Sequence, residues 1–176
     1  MLFMKTVYFY KPINSANLQP NSDPMYSKEE AKQLREEFWD QFLTISRHRR
    51  LRKKLSGNWI LTHTGVKALN LKFHVDTRVA QVGIDLETRN LDKRLELYEK
   101  LESVKRILEE SMGEPLHWEL DYLRENGKSV SRIYLEKEGI NIYDSGTWPA
   151  AHEFMYSKMD KLELFYEEYR DFFKYT

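Results

Sequence analysis

Residues 69–75, LNLKFHV, and 78–87, RVAQVGIDLE, alternate apolar and polar side chains over nearly their whole length. Successive side chains of an extended chain point to opposite faces, so each run offers one face to a core and the other to water. Leu69, Leu71, Phe73 and Val75 form one apolar row, and Ala80, Val82, Ile84 and Leu86 form the other. A tight turn at Asp76-Thr77 sets Phe73 opposite Ala80, Leu71 opposite Val82 and Leu69 opposite Ile84, all on one face. A slip of a single residue would turn every one of these side chains to the wrong side. The chain is therefore committed to an antiparallel hairpin with an apolar and a polar face, and whatever else it builds must cover the apolar one.

The remaining patterns supply that cover. Ser27 and Glu30 make a capping box, after which Ala31, Leu34, Phe38, Phe42 and Ile45 recur at steps of three and four, the stripe of an amphipathic helix. A second helix is expected from about Asn90 to Met112, stopped by Gly113 with Pro115 beyond. Thr147 caps a third, which carries Pro149 in its first turn and Met155, Met159, Leu162, Tyr166, Tyr169 and Phe173 along one side. Between these helices, NWILT (58–62) reads as a short strand, HWELDYL and SVSRIYLE flank the hairpin signal Asn126-Gly127, and INIY (140–143) offers a last strand. A two-residue turn at Asn126-Gly127 pairs Trp118 with Leu135 and Leu120 with Ile133. The order is helix, three strands, helix, two or three strands, helix. It predicts an α+β domain in which an antiparallel-rich sheet of five to six strands packs with three long helices. Residues 11–24, KPINSANLQPNSDP, have the composition of a linker, and TVYFY before them reads as an edge strand or an unpacked tail. We therefore expect a tail over 1–24 and a single domain over 25–176.

Composition narrows the chemistry. The chain has 28 Lys plus Arg against 28 Asp plus Glu, a balance that argues against a dedicated nucleic-acid binder with a basic surplus. Without cysteine it can form no disulfide, thiolate metal site or iron–sulfur cluster, which suits a reducing compartment. Lys5 and Lys11 interrupt the apolar amino terminus and no small-residue cleavage site follows, so no signal peptide is read there. No run approaches the 18 or so apolar residues of a membrane span. The expected location is cytoplasmic. Phosphate-binding, dinucleotide, zinc-protease and serine-hydrolase motifs are all missing, and no cofactor is expected.

Alternation places His74, Asp85, Glu87, His117, Glu119, Asp121, Arg132 and Glu136 on the polar side of the sheet. Carboxylates beside histidines suit metal binding or acid–base work. They equally suit cross-strand ion pairs, Asp121 facing Arg132 and His117 facing Glu136, worth roughly 0.2–1 kcal/mol each. That pairing is the simpler reading. The helix-strands-helix-strand order over 27–123 also resembles the core of the PD-(D/E)XK nucleases. Those enzymes hold a metal with one acid on the second core strand and an acid-x-lysine on the third. Asp76 stands nearest the first acid, with Asp85 and Glu87 as the other candidate carboxylates. The best match to acid-x-lysine is Glu87-Thr88-Arg89, and arginine does not lose its proton at neutral pH. The working motif is missing, so no catalytic residue and no metal site are assigned.

The run RHRRLRKKL (47–55) holds Arg47, Arg49, Arg50, Arg52, Lys53 and Lys54. Cations at a helix carboxyl end complement its macrodipole, by roughly 0.3–1 kcal/mol apiece, and one or two would suffice. The surplus has two readings: pairing with glutamates of the second helix (Glu96, Glu99, Glu102, Glu109 and Glu110), or contact with a nucleic acid or acidic partner. Leu51 and Leu55 are expected to anchor one more amphipathic turn.

Three stretches, MYSKEEAKQLREEFWDQF (25–42), NWILTHTGVKALNLKFHVD (58–76), and SVSRIYLEKEGINIY with TWPAAHEF later, resemble the bacterial family called domain of unknown function 4268 in its stand-alone form. The resemblance covers 25–176 and brings no catalytic residues with it. Longer relatives join this domain to a nuclease-like domain, which implies an accessory role near nucleic-acid processing or defence. The expectation is a non-catalytic interaction domain with a nucleic acid or protein partner, and a degenerate nuclease is the alternative.

Overall fold

A computed structural model describes residues 26–62, 64–124 and 126–174. The helix α1 (Lys28–Arg52) starts at the expected capping box, with Glu30 N–H donating to Ser27 Oγ and Ser27 N–H to the Glu30 carboxylate. Strands β1 (Leu69–Val75) and β2 (Val79–Leu86) follow, then α2 (Leu91–Ser103), α3 (Lys105–Met112), β3 (His117–Leu123), β4 (Ser129–Glu138) and α4 (Trp148–Lys174). The tail expected over 1–24 lies outside the described residues. The architecture is α+β, with a sheet of four strands in the order β1-β2-β4-β3 and every neighbouring pair antiparallel.

Two expected strands do not form. Residues 58–62 run as an irregular segment whose backbone is held from elsewhere. Ile60 N–H donates to the Glu163 carboxylate at 2.7 Å, and Leu61 C=O accepts from Leu71 N–H at 2.8 Å. INIY instead braces the first hairpin's turn, through Ile140 N–H to Arg78 C=O and Ile142 N–H to Asp76 C=O. Each stretch has too few ladder bonds to continue the sheet, and that is why the sheet has four strands among the described residues rather than five or six.

The second expected helix is two helices. Val104 breaks it with φ −110° and ψ 13°, and the Ser103 hydroxyl donates back to Lys100 C=O at 2.7 Å. A β-branched residue beside a serine that competes for backbone carbonyls weakens the helix at that point. Among the described residues the three long helices become four, of which α1 and α4 are long.

The first hairpin keeps its faces and changes its register. Leu69 pairs with Leu86, Leu71 with Ile84, Phe73 with Val82 and Val75 with Ala80, two residues on from the expected match. A shift of two preserves the apolar side. It arises because Asp76 Oδ1 accepts from both Arg78 and Val79 N–H, which makes a wider turn. In the second hairpin Gly127 takes a left-handed φ of 75° in a loop from Arg124 to Lys128. An irregularity between Glu119 and Tyr122 then offsets the strands, so Trp118 faces Ile133 and not Leu135. Leu120, expected inside, is 40% exposed.

The apolar row of the sheet packs beneath Phe38 and Phe42 of α1, Leu97 and Leu101 of α2, Leu108 of α3, and the Met155–Met159–Leu162 side of α4. Among the described residues no helix is long and apolar enough to cross a membrane.

Candidate functional site

The polar side of the sheet is organised in cross-strand rows. One row reads Asn70, Asp85, Arg132, Glu119 and the next Lys72, Gly83, Tyr134, His117. Gly83 sits against the backbone of β4, opposite Tyr134. A Cβ there would meet Ile133 C=O at 2.3 Å and the Tyr134 Cβ at 2.6 Å, so only glycine fits. The missing side chain leaves a hollow of about 10 Å³, walled by Lys72, His74, Gln81, Asp85, Arg132 and Tyr134.

Asp85 is fully buried at the floor of this face. The Arg132 guanidinium grips it with two bonds, Nε to Oδ1 at 2.7 Å and Nη2 to Oδ2 at 2.8 Å. Arg124 Nη2 donates to Asp85 Oδ2 as well, and to Glu87 at 2.6 Å. Arg132 also donates to Gln81 and lies over the Tyr122 ring at 4.1 Å. Buried carboxylates are tolerated when bidentate guanidinium bonds satisfy their lone pairs, and both Asp85 oxygens are so occupied.

The titration of the face follows from these contacts. Burial works against the charge of Glu87, yet Arg124 and Lys72 hold its carboxyl below the ordinary range. Burial opposes the charge of Arg124 too, but its bonds to Glu87 and Asp85 raise its affinity for the proton. Burial pushes the Tyr134 hydroxyl up, reinforced by its 2.7 Å bond to the Glu119 carboxylate.

Asp85 and Arg132 pair directly on the polar face, and Glu87 is joined to Asp85 through Arg124. Asp121, displaced by the β3 irregularity, pairs with Arg94 of α2 at 2.7 Å and not with Arg132. His117 stacks on Tyr134 with ring centres 5.0 Å apart, and does not face Glu136, which takes Gln81. Asp76 belongs to the turn, where burial opposes its charge but the N–H groups of Val79 and Arg78 keep its carboxyl low. Among the described residues no three or more His, Asp or Glu side chains are grouped to hold a metal. Arg124 was not singled out in the sequence, and its place just before Asn126-Gly127 was the one available signal.

The basic run divides in two. Arg50 is 2% exposed, donates to Glu163 at 2.6 Å and to Asp160 at 3.3 Å, and reaches Ser56 and Asn58 carbonyls behind the helix end. It also lies over the Trp59 ring at 4.9 Å. Arg49 pairs with Glu153 at 2.6 Å and Lys53 with Asp160 at 2.8 Å. The acidic partners therefore come from α4, not from the glutamates of α2 and α3. Arg47, Arg52 and Lys54 are exposed, and among the described residues no carboxylate lies against them. Leu51 and Leu55 are exposed as well, so they do not anchor the turn. Arg50 does.

The family model for a domain of unknown function, DUF4268, matches residues 34–170 of the chain. The chain belongs to the DUF4268 family. No curated protein and no solved structure matches it. The matched span of the DUF4268 domain takes in both the Asp85 network and the whole basic run, so neither lies outside the family's own fold.

Proposed function

We propose that this DUF4268 domain is a non-catalytic cytoplasmic interaction module that accompanies nucleic-acid processing. One observation carries the reading: Asp85, the most buried acid of the polar face, has both oxygens taken by Arg132 and Arg124. A carboxylate serving a metal or a proton must turn an oxygen to the reaction, and this one turns both to arginines. The degenerate-nuclease alternative needs Asp76, Asp85 and Glu87 at one ion. Asp76 is instead committed to its turn, and Glu87 bridges Arg124 and Lys72.

Incubation of the full chain with supercoiled plasmid in Mg²⁺ or Mn²⁺ tests the reading. The plasmid is expected to stay supercoiled. Nicking that disappears in the Glu87→Gln variant would overturn the proposal and promote the nuclease.

A further inference from the structure

We infer that Arg47, Arg52 and Lys54, at the carboxyl end of α1, form a contact site for the phosphate backbone of a nucleic acid. The inference rests on the proposed interaction role and names the partner of one surface.

The first observation is the division of the run. Arg49, Arg50 and Lys53 are neutralised by Glu153, Asp160 and Glu163. Those three already satisfy the helix end, because Arg50 is buried there and binds the carbonyls beyond it. Arg47, Arg52 and Lys54 are surplus to that task. Arg47 and Arg52 are five residues apart, about 7.5 Å along the axis and about 140° around it, so they flank the helix end from two sides. The charges of one DNA strand recur about every 3.4 Å of duplex axis, so the rise between the two arginines corresponds to phosphates about two steps apart on a strand.

A second, independent observation comes from the backbone. Helix α1 ends in a Schellman motif, with Leu55 N–H bonded to Arg50 C=O and Lys54 N–H to Leu51 C=O, both at 3.0 Å. The position that must turn left-handed holds Lys54, with φ 60°. Glycine is the usual residue there, and a side chain in that conformation is strained. A lysine at such a position, with no carboxylate against it among the described residues, leaves its charge available outside the fold. Arg47 is steered to the same end, its side chain lying across Gly57, where a Cβ would meet the Arg47 Cγ at 3.2 Å.

The patch favours phosphates over a lipid surface. Its apolar members are Leu51 and Leu55, and among the described residues no exposed Trp, Tyr or Phe accompanies them to enter a bilayer interface.

The test is fluorescence anisotropy of a labelled 20-base-pair duplex of random sequence, titrated with the full chain at several salt concentrations. Binding is expected with a dissociation constant on the order of 10 µM at low salt, as for non-specific contact. The Arg47→Gln, Arg52→Gln, Lys54→Gln triple variant should bind at least tenfold more weakly. Its slope of log K against log salt should flatten by about two to three units. The charge-keeping variant Arg47→Lys, Arg52→Lys, Lys54→Arg should bind like the wild type. No binding by the wild type at about 100 µM protein, an unchanged affinity in the triple variant, or tighter binding to phosphatidylserine vesicles than to the duplex would each overturn the inference. Plasmid nicking would sink the non-catalytic reading and leave this contact standing. Failure to bind, without nicking, does the reverse.

Discussion

The polar face of the sheet and the carboxyl end of α1 both gather arginines around buried carboxylates, and they differ in what is left over. On the sheet, Arg132 and Arg124 meet Asp85 and Glu87, and each cation has an acid in reach. At the helix end, Arg49, Arg50 and Lys53 meet acids of α4 while Arg47, Arg52 and Lys54 meet none among the described residues. A closed network spends its charge on holding strands together. An open one keeps charge available to a partner, at the expense of self-repulsion. The lesson is that a cluster's composition says little about its role until the pairing within it is known.

The largest expected effect tests the closed side. Asp85→Ala leaves Arg132 buried with no counter-charge, and breaking a buried pair in this way costs about 3–5 kcal/mol. For a chain of this size the melting temperature should fall by roughly 10 °C. Arg50→Met should approach that loss, because Glu163 would keep its burial without its guanidinium. Arg52→Gln should stay within about 0.5 kcal/mol of wild type, as an exposed site away from packing does. Thermal melts of the three variants check the order. An Asp85→Ala protein as stable as Arg52→Gln would erase the distinction between the two regions.

Much of this was legible in the sequence, and the failures share a cause. Alternation found β1, β2 and the polar face, and the capping box found the start of α1. Periodicity alone could not find hydrogen-bond partners. NWILT looks like a strand because it is apolar, yet Trp59 is buried as a side chain against Phe42, stacked at 5.6 Å, while its neighbours bond to Glu163 and β1. The step of four through Phe38, Phe42 and Ser46 continues to Arg50, all four buried. Read for apolar character, that stripe stops at Ile45. Read for position, it reaches the one cation of the run that belongs to the core. Glu163 breaks the α4 stripe in the same manner, four residues beyond Met159. An ion on each of two apolar stripes is a signal that the two meet. The offset in β3, by contrast, had no such mark, and the partners of Asp121 and His117 were lost with it.

The two regions should also separate by pH. On the sheet side, contacts with Arg124 and Lys72 outweigh burial and hold Glu87 below its ordinary 4.5. A lowered folded pKa stabilises the protein above the unfolded value, and that contribution is lost as pH falls through the folded one. Its arm therefore lies below about 4.5. Beside α1, His152 of α4 packs against Phe38 and Phe42 with ring centres 4.6 and 5.5 Å away, and burial lowers its pKa from 6.5. The unfolded chain takes up that proton first, so stability should begin to fall as pH drops below 6.5. Melting temperatures measured from pH 7 to pH 3 should show both arms. His152→Phe should remove the upper arm and keep the lower, and Glu87→Gln should keep the upper arm and shrink the lower, to which the lowered carboxyl of Asp76 also contributes. A single acid transition unaffected by His152→Phe would show that the α1–α4 layer does not titrate separately.

A small effect at Lys54 is the most discriminating, because its two readouts should move in opposite directions. Lys54 adopts a left-handed φ of 60° at the end of α1, a conformation that disfavours any side chain by about 1–2 kcal/mol. Glycine removes that strain but gives the unfolded chain more freedom, which takes back about 0.4–1 kcal/mol. Lys54→Gly should therefore stabilise the domain by roughly 0.5–1 kcal/mol and raise the melting temperature by about 2–3 °C. The Schellman bonds are backbone bonds and survive the change. The same substitution deletes one of the three unpaired cations, so affinity for the duplex should fall and the salt slope should flatten by about one unit. A gain in stability with unchanged binding would leave Lys54 a tolerated strain with no purpose outside the fold. A loss of stability would mean that its side chain supports the helix end after all, and would move it from the open cluster to the closed one.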